Sequence, residues 1–163
     1  DMGRSATEYQ VKAAPIDGLT IGASYMEFDG SGIAKNNQLP ESGAYYATYA
    51  VGPFSLGYSQ AYKAPLVADG GLTSATVVDY YDQVNYSVAY VSGDLTLSYE
   101  VEKDEKNFQR ASVASVEQES KAIQAAYTMG GMTIAVSHGQ YDNVAYTAGD
   151  SVDTMLFAVT MAF

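Results

Sequence analysis

The chain has 163 residues, of which 47% are hydrophobic and 17% charged, and 19 acidic against 8 basic side chains give it a formal net charge of -11. This acidic balance argues against a nucleic-acid partner, because phosphate binding needs clustered Lys and Arg side chains. The absence of Cys excludes a disulfide framework and a zinc-thiolate site. The sequence also lacks an apolar run long enough to predict a membrane-spanning helix.

Segments that alternate apolar and polar residues recur along the whole chain. A period of two residues is typical of strands with two different faces, and Tyr, Val and Thr suit strands better than helices. Asp94–Lys103 alternates most clearly, with Leu97 on one face and Ser98 on the other. We predict nine antiparallel strands of about ten residues each. They are Glu8–Ala14, Leu19–Phe28, Ala44–Val51, Phe54–Lys63, Gln83–Tyr90, Asp94–Lys103, Lys121–Met129, Met132–Ser137 and Thr154–Phe163.

Two kinds of connection alternate between these segments. Gly, Pro and Asp fit the dihedral angles of tight turns, and they predict short turns near 15–18, 52–53, 92–93 and 130–131. Longer polar loops are predicted near 29–41, 64–78, 104–118 and 142–150. The predicted arrangement is therefore an up-and-down series of hairpins within a single domain.

A soluble β-sandwich and a transmembrane barrel share this pattern. In the sandwich the apolar face packs inward, whereas in the barrel it meets lipid and the second face lines an aqueous interior. The predicted strands have the roughly 9 to 11 residues of tilted spanning strands, more than the roughly 5 to 6 common in soluble sheets. The second face is rich in Ser, Thr, Gly and Ala, which favours the barrel. Aromatic belts at its interfaces would include Tyr62, Tyr90, Tyr127 and Tyr141.

Several hairpins resemble those of Gram-negative outer-membrane porins. Tyr86–Tyr90 turning through Ser92-Gly93 into Leu95–Glu100 is one, and Ala122–Tyr127 turning into Thr133–Ser137 is another. The last segment is similar to the family's terminal strand, in which a final Phe and alternating apolar residues form the signal read by the barrel-assembly machinery. The resemblance assigns this role to Phe163, Met161, Val159 and Phe157.

The resemblance implies an all-β, transmembrane, antiparallel up-and-down β-barrel in the outer membrane of a Gram-negative bacterium. Because single-chain bacterial barrels have an even number of strands, about nine strands would be the C-terminal portion of a porin of about sixteen. Short turns would then be periplasmic and long loops extracellular. A complete small barrel closed by residues 1–7 is the alternative. In the family the third outer loop narrows the channel, and on this strand count that loop lies upstream of residue 1.

The same resemblance implies a set of partners. These are outer-membrane lipid and lipopolysaccharide, the barrel-assembly machinery, the remaining N-terminal barrel strands and further copies of the chain in a homotrimer. Small hydrophilic solutes would be the molecules transported.

The second face predicts the lining of such a channel. Alternation within each strand places Glu8, Gln10, Lys12, Lys63, Gln83, Asn85, Glu100, Glu102 and Gln124 on it. A wide, water-filled interior passes small hydrophilic solutes and ions by diffusion and needs no cofactor. The expected function is therefore that of a porin, and the alternative is a small structural, adhesion or receptor barrel without an open pore.

Candidate catalytic residues are few. His138 is the only His, and alternation groups it with Ile134 and Val136, which predicts a packing or interfacial role. The sequence has no His-Glu-x-x-His and no Gly-x-Ser-x-Gly motif, so hydrolase and metalloenzyme templates lack their parts. Acidic loop residues such as Asp69 and Asp142 lack the spacing of a calcium loop. We expect neither enzyme activity nor a metal site.

Overall fold

The computed structural model describes residues 5–30 and 36–161, which form one antiparallel sheet of nine strands. Each strand pairs only with its neighbours in the chain. Two short helical turns, Asp69–Gly71 and Val144–Tyr146, lie in the connections. The prediction of an all-β chain with nine antiparallel strands is confirmed. The strands are β1 (Ala6–Ile16), β2 (Leu19–Phe28), β3 (Glu41–Val51), β4 (Phe54–Ala64), β5 (Val78–Ser92), β6 (Leu95–Phe108), β7 (Val116–Met129), β8 (Met132–Asp142) and β9 (Ser151–Met161).

Two-residue turns join the strands at one end of the sheet. They are Asp17-Gly18, Gly52-Pro53, Gly93-Asp94 and Gly130-Gly131. In the last three the first residue is a Gly with a φ of 55°, 56° and 57°. A type II′ turn needs a positive φ at this position, which Gly adopts without steric cost. The described parts of the longer connections, 29–30, 36–40, 65–77, 109–115 and 143–150, lie at the opposite end.

Pro15 and Ile16 belong to β1, and Ser92 belongs to β5, although the sequence pattern predicts them as turn residues. The register between β1 and β2 shifts between Ala13 and Ile16. Pro is tolerated in a sheet at an edge strand or a bulge, because it has no N–H to give to the ladder. The bulge therefore extends β1 past Pro15 to the tight turn.

Gly18→Ala is expected to destabilise the protein more than Gly93→Ala. Both residues have a positive φ, 77° and 56°, which strains any L side chain. A Cβ at residue 18 would also lie 2.1 Å from the backbone oxygen of Ala50, whereas a Cβ at residue 93 would meet nothing within 4 Å. We expect about 1–2 kcal/mol of strain in both variants and a further loss of about 1–3 kcal/mol at residue 18. Urea unfolding of the two variants measures the difference, and equal losses would contradict the contact.

β6 and β7 extend further than the sequence pattern predicts. The loop expected near 104–118 is reduced to 109–115, because pairing continues to Lys106 opposite Val116. Lys103 is paired directly with Glu119, and Lys103 Nζ lies 3.2 Å from Glu119 Oε2. Opposite charges that face each other across strands stabilise a ladder. This charged segment therefore belongs to the sheet rather than to a solvated loop.

The pairing register defines two continuous faces. Directly paired residues in an antiparallel ladder lie on the same side of the sheet. The register assigns the residues of all nine strands to one of two sides. The residues on the same side as Leu97 are termed here the apolar face, and those on the same side as Ser98 are termed the polar face. The row through Leu97, for example, contains Tyr90, Ala125, Val136 and Phe157. The row through Ser98 contains Ala89, Gln124, Ser137 and Leu156.

The sheet has almost no interior. Within the described ranges, Ala64 and Val67 are the only buried hydrophobic residues, and they lie at the loop end. Large side chains of the apolar face are open, with Met155 76% and Phe157 67% exposed. Among residues 5–30 and 36–161, strands β1 and β9 are edges that pair on one side only, and every residue of β1 is exposed. A sandwich would bury one face against a second sheet, whereas this sheet buries neither.

Candidate functional site

All nine side chains predicted to line a channel lie on the polar face. They belong to five strands: Glu8, Gln10 and Lys12 to β1, Lys63 to β4, Gln83 and Asn85 to β5, Glu100 and Glu102 to β6, and Gln124 to β7. Asn85 is directly opposite Glu102, and Gln124 is directly opposite Ser98. The structure therefore brings the predicted set to a single surface.

Small side chains occupy most of the other positions on the polar face. Ser59 and Ser87 follow this pattern in the middle of the sheet, and Ala126, Ala135 and Ala158 form a row across β7, β8 and β9. Tyr46 is the main exception on β3, and its ring lies over Gly22 of the neighbouring strand. A face built mainly from small residues leaves space in front of it, as a solute path needs.

The acidic side chains of the polar face are concentrated on one strand. Glu100, Glu102 and Asp104 alternate along β6 toward the loop end. Lys63 and Lys106 lie close to the loops, in the row that also contains Tyr81. Ions near this face would therefore meet both signs of charge at the loop end and carboxylates further along β6.

Aromatic rings pack against one another on the apolar face of β3, β4 and β5. The ring centroids of Tyr58 and Tyr86 are 5.4 Å apart, and those of Phe54 and Tyr90 are 5.0 Å apart. Both separations are in the range in which tilted aromatic pairs attract each other. Tyrosine is therefore spread across this face, beyond the strand ends where aromatic belts are predicted.

Tyr141 does not share a face with the other three tyrosines of the predicted belts. Tyr62, Tyr90 and Tyr127 lie on the apolar face, but Tyr141 is paired with Ser120 on the polar face. Successive residues of β8 point to opposite sides of the sheet, so Tyr141 and His138, three positions apart, lie on different faces. The assignment of Tyr141 to the predicted belts is therefore wrong.

Charged side chains mark the loop end of the apolar face. Lys103 Nζ lies 3.0 Å from Glu117 Oε1 and 3.2 Å from Glu119 Oε2, and Lys121 also pairs with Glu119. These ion pairs are partly exposed and screened by solvent, so they add little to the stability of the sheet. Nearer the short turns the same face of β6 and β7 carries apolar residues such as Leu97 and Ile123. The ion pairs thus mark the boundary of an apolar band.

His138 and the residues predicted to form the assembly signal lie on the apolar face. His138 is paired with Ile123 on one side and Met155 on the other, in agreement with its predicted side of the sheet. Phe157, Val159 and Met161 alternate along the same face of β9. Phe163, the fourth residue of that signal, lies outside the described residues.

No group of three His, Cys, Asp or Glu side chains in residues 5–30 and 36–161 could hold a metal ion. Over the same ranges, no helix is both long enough and apolar enough to cross a membrane.

Three of the four long connections are joined by hydrogen bonds. Gln38 N donates to Val67 O at 2.9 Å, and Gln38 Nε2 donates to Pro65 O at 3.0 Å and to Asp79 O at 2.8 Å. Gln109 Nε2 donates to Gln38 Oε1 at 2.6 Å and to Asp79 Oδ1 at 3.0 Å. Side chains from well-separated parts of the chain therefore fix the loop end of the sheet.

The fourth connection, residues 143–150, lies against the polar face, and the sequence pattern does not reveal this. Its Tyr146 packs against Tyr81 of β5, with the ring centroids 5.6 Å apart. These residues are 65 positions apart and share no local motif. The polar face therefore has an aromatic contact near its loop end that sequence reasoning missed.

A scan against protein-family models found no match to this chain, and a search of the curated proteins found no match either.

Proposed function

We propose that this chain forms part of the wall of an outer-membrane porin in a Gram-negative bacterium. In this proposal the apolar face meets lipid, and the polar face lines a water-filled channel that passes small hydrophilic solutes and ions by diffusion. The observation that carries the proposal is a continuous, exposed apolar face on a sheet whose opposite face carries mainly small or polar side chains.

The exposed apolar face is too extensive for a protein surrounded by water. Ile123, Val136, Met155 and Phe157 are between 41% and 76% exposed and lie next to one another on β7, β8 and β9. Soluble monomers rarely expose contiguous apolar patches larger than a few hundred Å². Removing one such side chain from water contributes roughly 1.5–3 kcal/mol. A hydrocarbon environment would supply this contribution along the whole face.

Strand length and the sheet edges support a barrel. The strands have 10 to 15 residues, and about 9 to 11 suffice for a tilted strand to cross a bilayer. Inside a membrane the unpaired N–H and C=O groups of β1 and β9 need partners, because no water is present to satisfy them. Pairing with further strands would close the barrel and remove both edges. The homotrimer, lipopolysaccharide contacts and recognition by the assembly machinery belong to the same proposal and follow from the resemblance to porins.

A structural, adhesion or receptor barrel without a pore is the competing function. Such a barrel is filled by bulky side chains, whereas the central row of this polar face contains Ser98, Gln124 and Ser137. The small side chains favour the open channel.

Cysteine labelling on neighbouring residues tests the proposal. The chain has no Cys, so an introduced one is unique. In planar bilayers that contain the complete barrel, a charged thiol reagent should reduce the current through Gln124→Cys and leave Ile123→Cys unchanged, because these residues lie on opposite faces of β7. A complete barrel that inserts and shows no ion current would contradict the porin proposal and favour the closed barrel. If the reagent reduced the current through Ile123→Cys alone, the apolar face would line the channel and the assignment of the two faces would be reversed.

Neutralising Glu100 and Glu102 together, as Glu100→Gln with Glu102→Gln, should weaken cation preference. Both carboxylates lie on the polar face of β6 and attract cations into the channel. Salt screens exposed charges over about 8 Å at physiological ionic strength, so the effect requires groups close to the ion path. The reversal potential in a salt gradient measures it. Glu27→Gln with Asp153→Asn removes two charges from the apolar face and is the matched control. Equal shifts in both double variants would show that Glu100 and Glu102 are not on the ion path.

A further inference from the structure

The connection between β8 and β9 leans across the polar face instead of standing above its own strands. Ala145 N donates a 2.8 Å hydrogen bond to Gln118 Oε1 on β7, and Tyr146 packs on Tyr81 of β5. Neighbouring strands lie about 4.8 Å apart, so β5 is roughly 14 Å from β8 across the sheet. A loop that joins adjacent strands has no need to reach so far, and its direction is set by these contacts.

Internal hydrogen bonds hold this loop in a defined shape. Asn143 Nδ2 donates to Glu117 O at 2.8 Å, and Gly149 N donates to Asn143 Oδ1 at 2.9 Å. Val144 N donates to Asp150 O at 3.1 Å, which closes the base of the loop. The side chain of Asn143 therefore links the loop both to β7 and to itself.

The backbone of the loop is strained at three residues. Asn143, Ala145 and Tyr146 have φ values of 53°, 54° and 57°. Ala and Tyr rarely adopt this left-handed conformation, which persists only where surrounding contacts impose it. Strain of this kind is concentrated at functional sites.

Contacts of the Tyr146 side chain stabilise this left-handed conformation of the loop. Lys106 Nζ lies 5.6 Å from the centre of the Tyr146 ring and 5.3 Å from that of Phe108, distances at which a cation is attracted to an aromatic face. Burial is the main reason that the pKa of Tyr146 lies well above its usual range. Tyr146 is therefore in contact with Tyr81 and Lys106, which both lie on the polar face, and Asp104 lines the same groove.

We propose that residues 143–150 form a constriction of the channel, in which Tyr146 narrows the path against the polar face. This inference rests on the proposed porin function. The open groove beside Tyr146 has a volume of about 500 Å³ and is lined by Lys63, Gln83 and Asp104 in addition to Tyr81. Hydrophilic solutes would pass along this groove, where the two rings limit their size and charges of both signs replace lost water contacts. Tyr146 is thus the residue through which this loop limits the size of a passing solute.

Single-channel conductance tests the constriction. Tyr146→Ala removes the ring and should raise the conductance roughly 1.5- to 2-fold, because the narrowest cross-section limits the current. Tyr146→Phe keeps the ring and should stay near the wild-type value. Tyr127→Ala removes a ring from the apolar face, where Tyr127 is 47% exposed, and should change nothing. Wild-type conductance in Tyr146→Ala would overturn the constriction while leaving the porin proposal intact.

Reagent access to Gln83 gives a readout that does not depend on current. Gln83→Cys should react slowly with a bulky charged thiol reagent in the folded protein and at least several-fold faster when combined with Tyr146→Ala. Equal rates in the two backgrounds would mean that the loop does not cover the polar face, which overturns the inference. If Gln83→Cys is shielded in a protein that shows no ion current, the loop covers the polar face as described. That result would still contradict the porin proposal, and with it the constriction.

Discussion

Leu97→Arg is expected to cost about 2–4 kcal/mol of folding free energy in phospholipid vesicles, since a lipid-facing cation near the bilayer midplane carries this penalty. Leu97 is 42% exposed on the apolar face, with Tyr90 and Ala125 as its direct partners. Arg at this position must either lie in hydrocarbon or distort the bilayer to reach water. Reversible urea unfolding of the reconstituted protein measures the loss.

Ser98→Arg is the matched control for Leu97→Arg. It introduces the same side chain one residue along β6, but on the polar face opposite Gln124. In a water-filled channel the new guanidinium stays hydrated, so the loss should be well below that of Leu97→Arg. Similar losses for the two variants would contradict the assignment of the apolar face to lipid.

In water without detergent the protein is expected to aggregate, and in micelles it should be dispersed with the far-ultraviolet circular dichroism of a β-sheet. The apolar face would associate with other apolar surfaces, and the open edges of β1 and β9 would pair with other chains. Sedimentation and circular dichroism with and without detergent measure both states.

Two matched triple variants compare how each face of the sheet affects solubility in this experiment. Ile123→Gln, Val136→Gln and Phe157→Gln together should increase the fraction that stays soluble in water, since all three residues are exposed on the apolar face. Ala126→Gln, Ala135→Gln and Ala158→Gln make the same number of changes in one row of the polar face and should have little effect. A wild-type protein that is monomeric and folded in water would contradict a lipid-facing role.

Alternation was sufficient to predict the strands and to group the residues of each face. Leu97 and Ser98 lie on opposite faces because a strand has a fixed period of two, and no tertiary contact is needed to determine this. The nine predicted channel-lining residues share the polar face for the same reason. The strand ends were predicted less well, since Glu105 and Lys106 resemble loop residues until their cross-strand pairing with Glu117 and Val116 is known.

Contacts between distant segments could not be predicted from local patterns. Tyr146 meets Tyr81 only because residues 143–150 fold across three strands, and Gln38 meets Gln109 only because two loops converge at one end of the sheet. In both cases the contact depends on the shape of a whole loop. The sequence nearby contains no period, motif or charge run that encodes such a shape.

The strict pairing of each strand with its chain neighbours also has a kinetic consequence. Four of the eight strand pairs are closed by two-residue turns, so each can form as a hairpin after a search over very few residues. The entropy lost on closing a loop grows with its length, and proteins dominated by local contacts fold faster than those with distant pairings. The sheet can therefore grow by adding hairpins in sequence order. Among the described residues, the late and slow contacts should be those that join the long connections, above all Gln38 with Gln109 and Tyr81 with Tyr146.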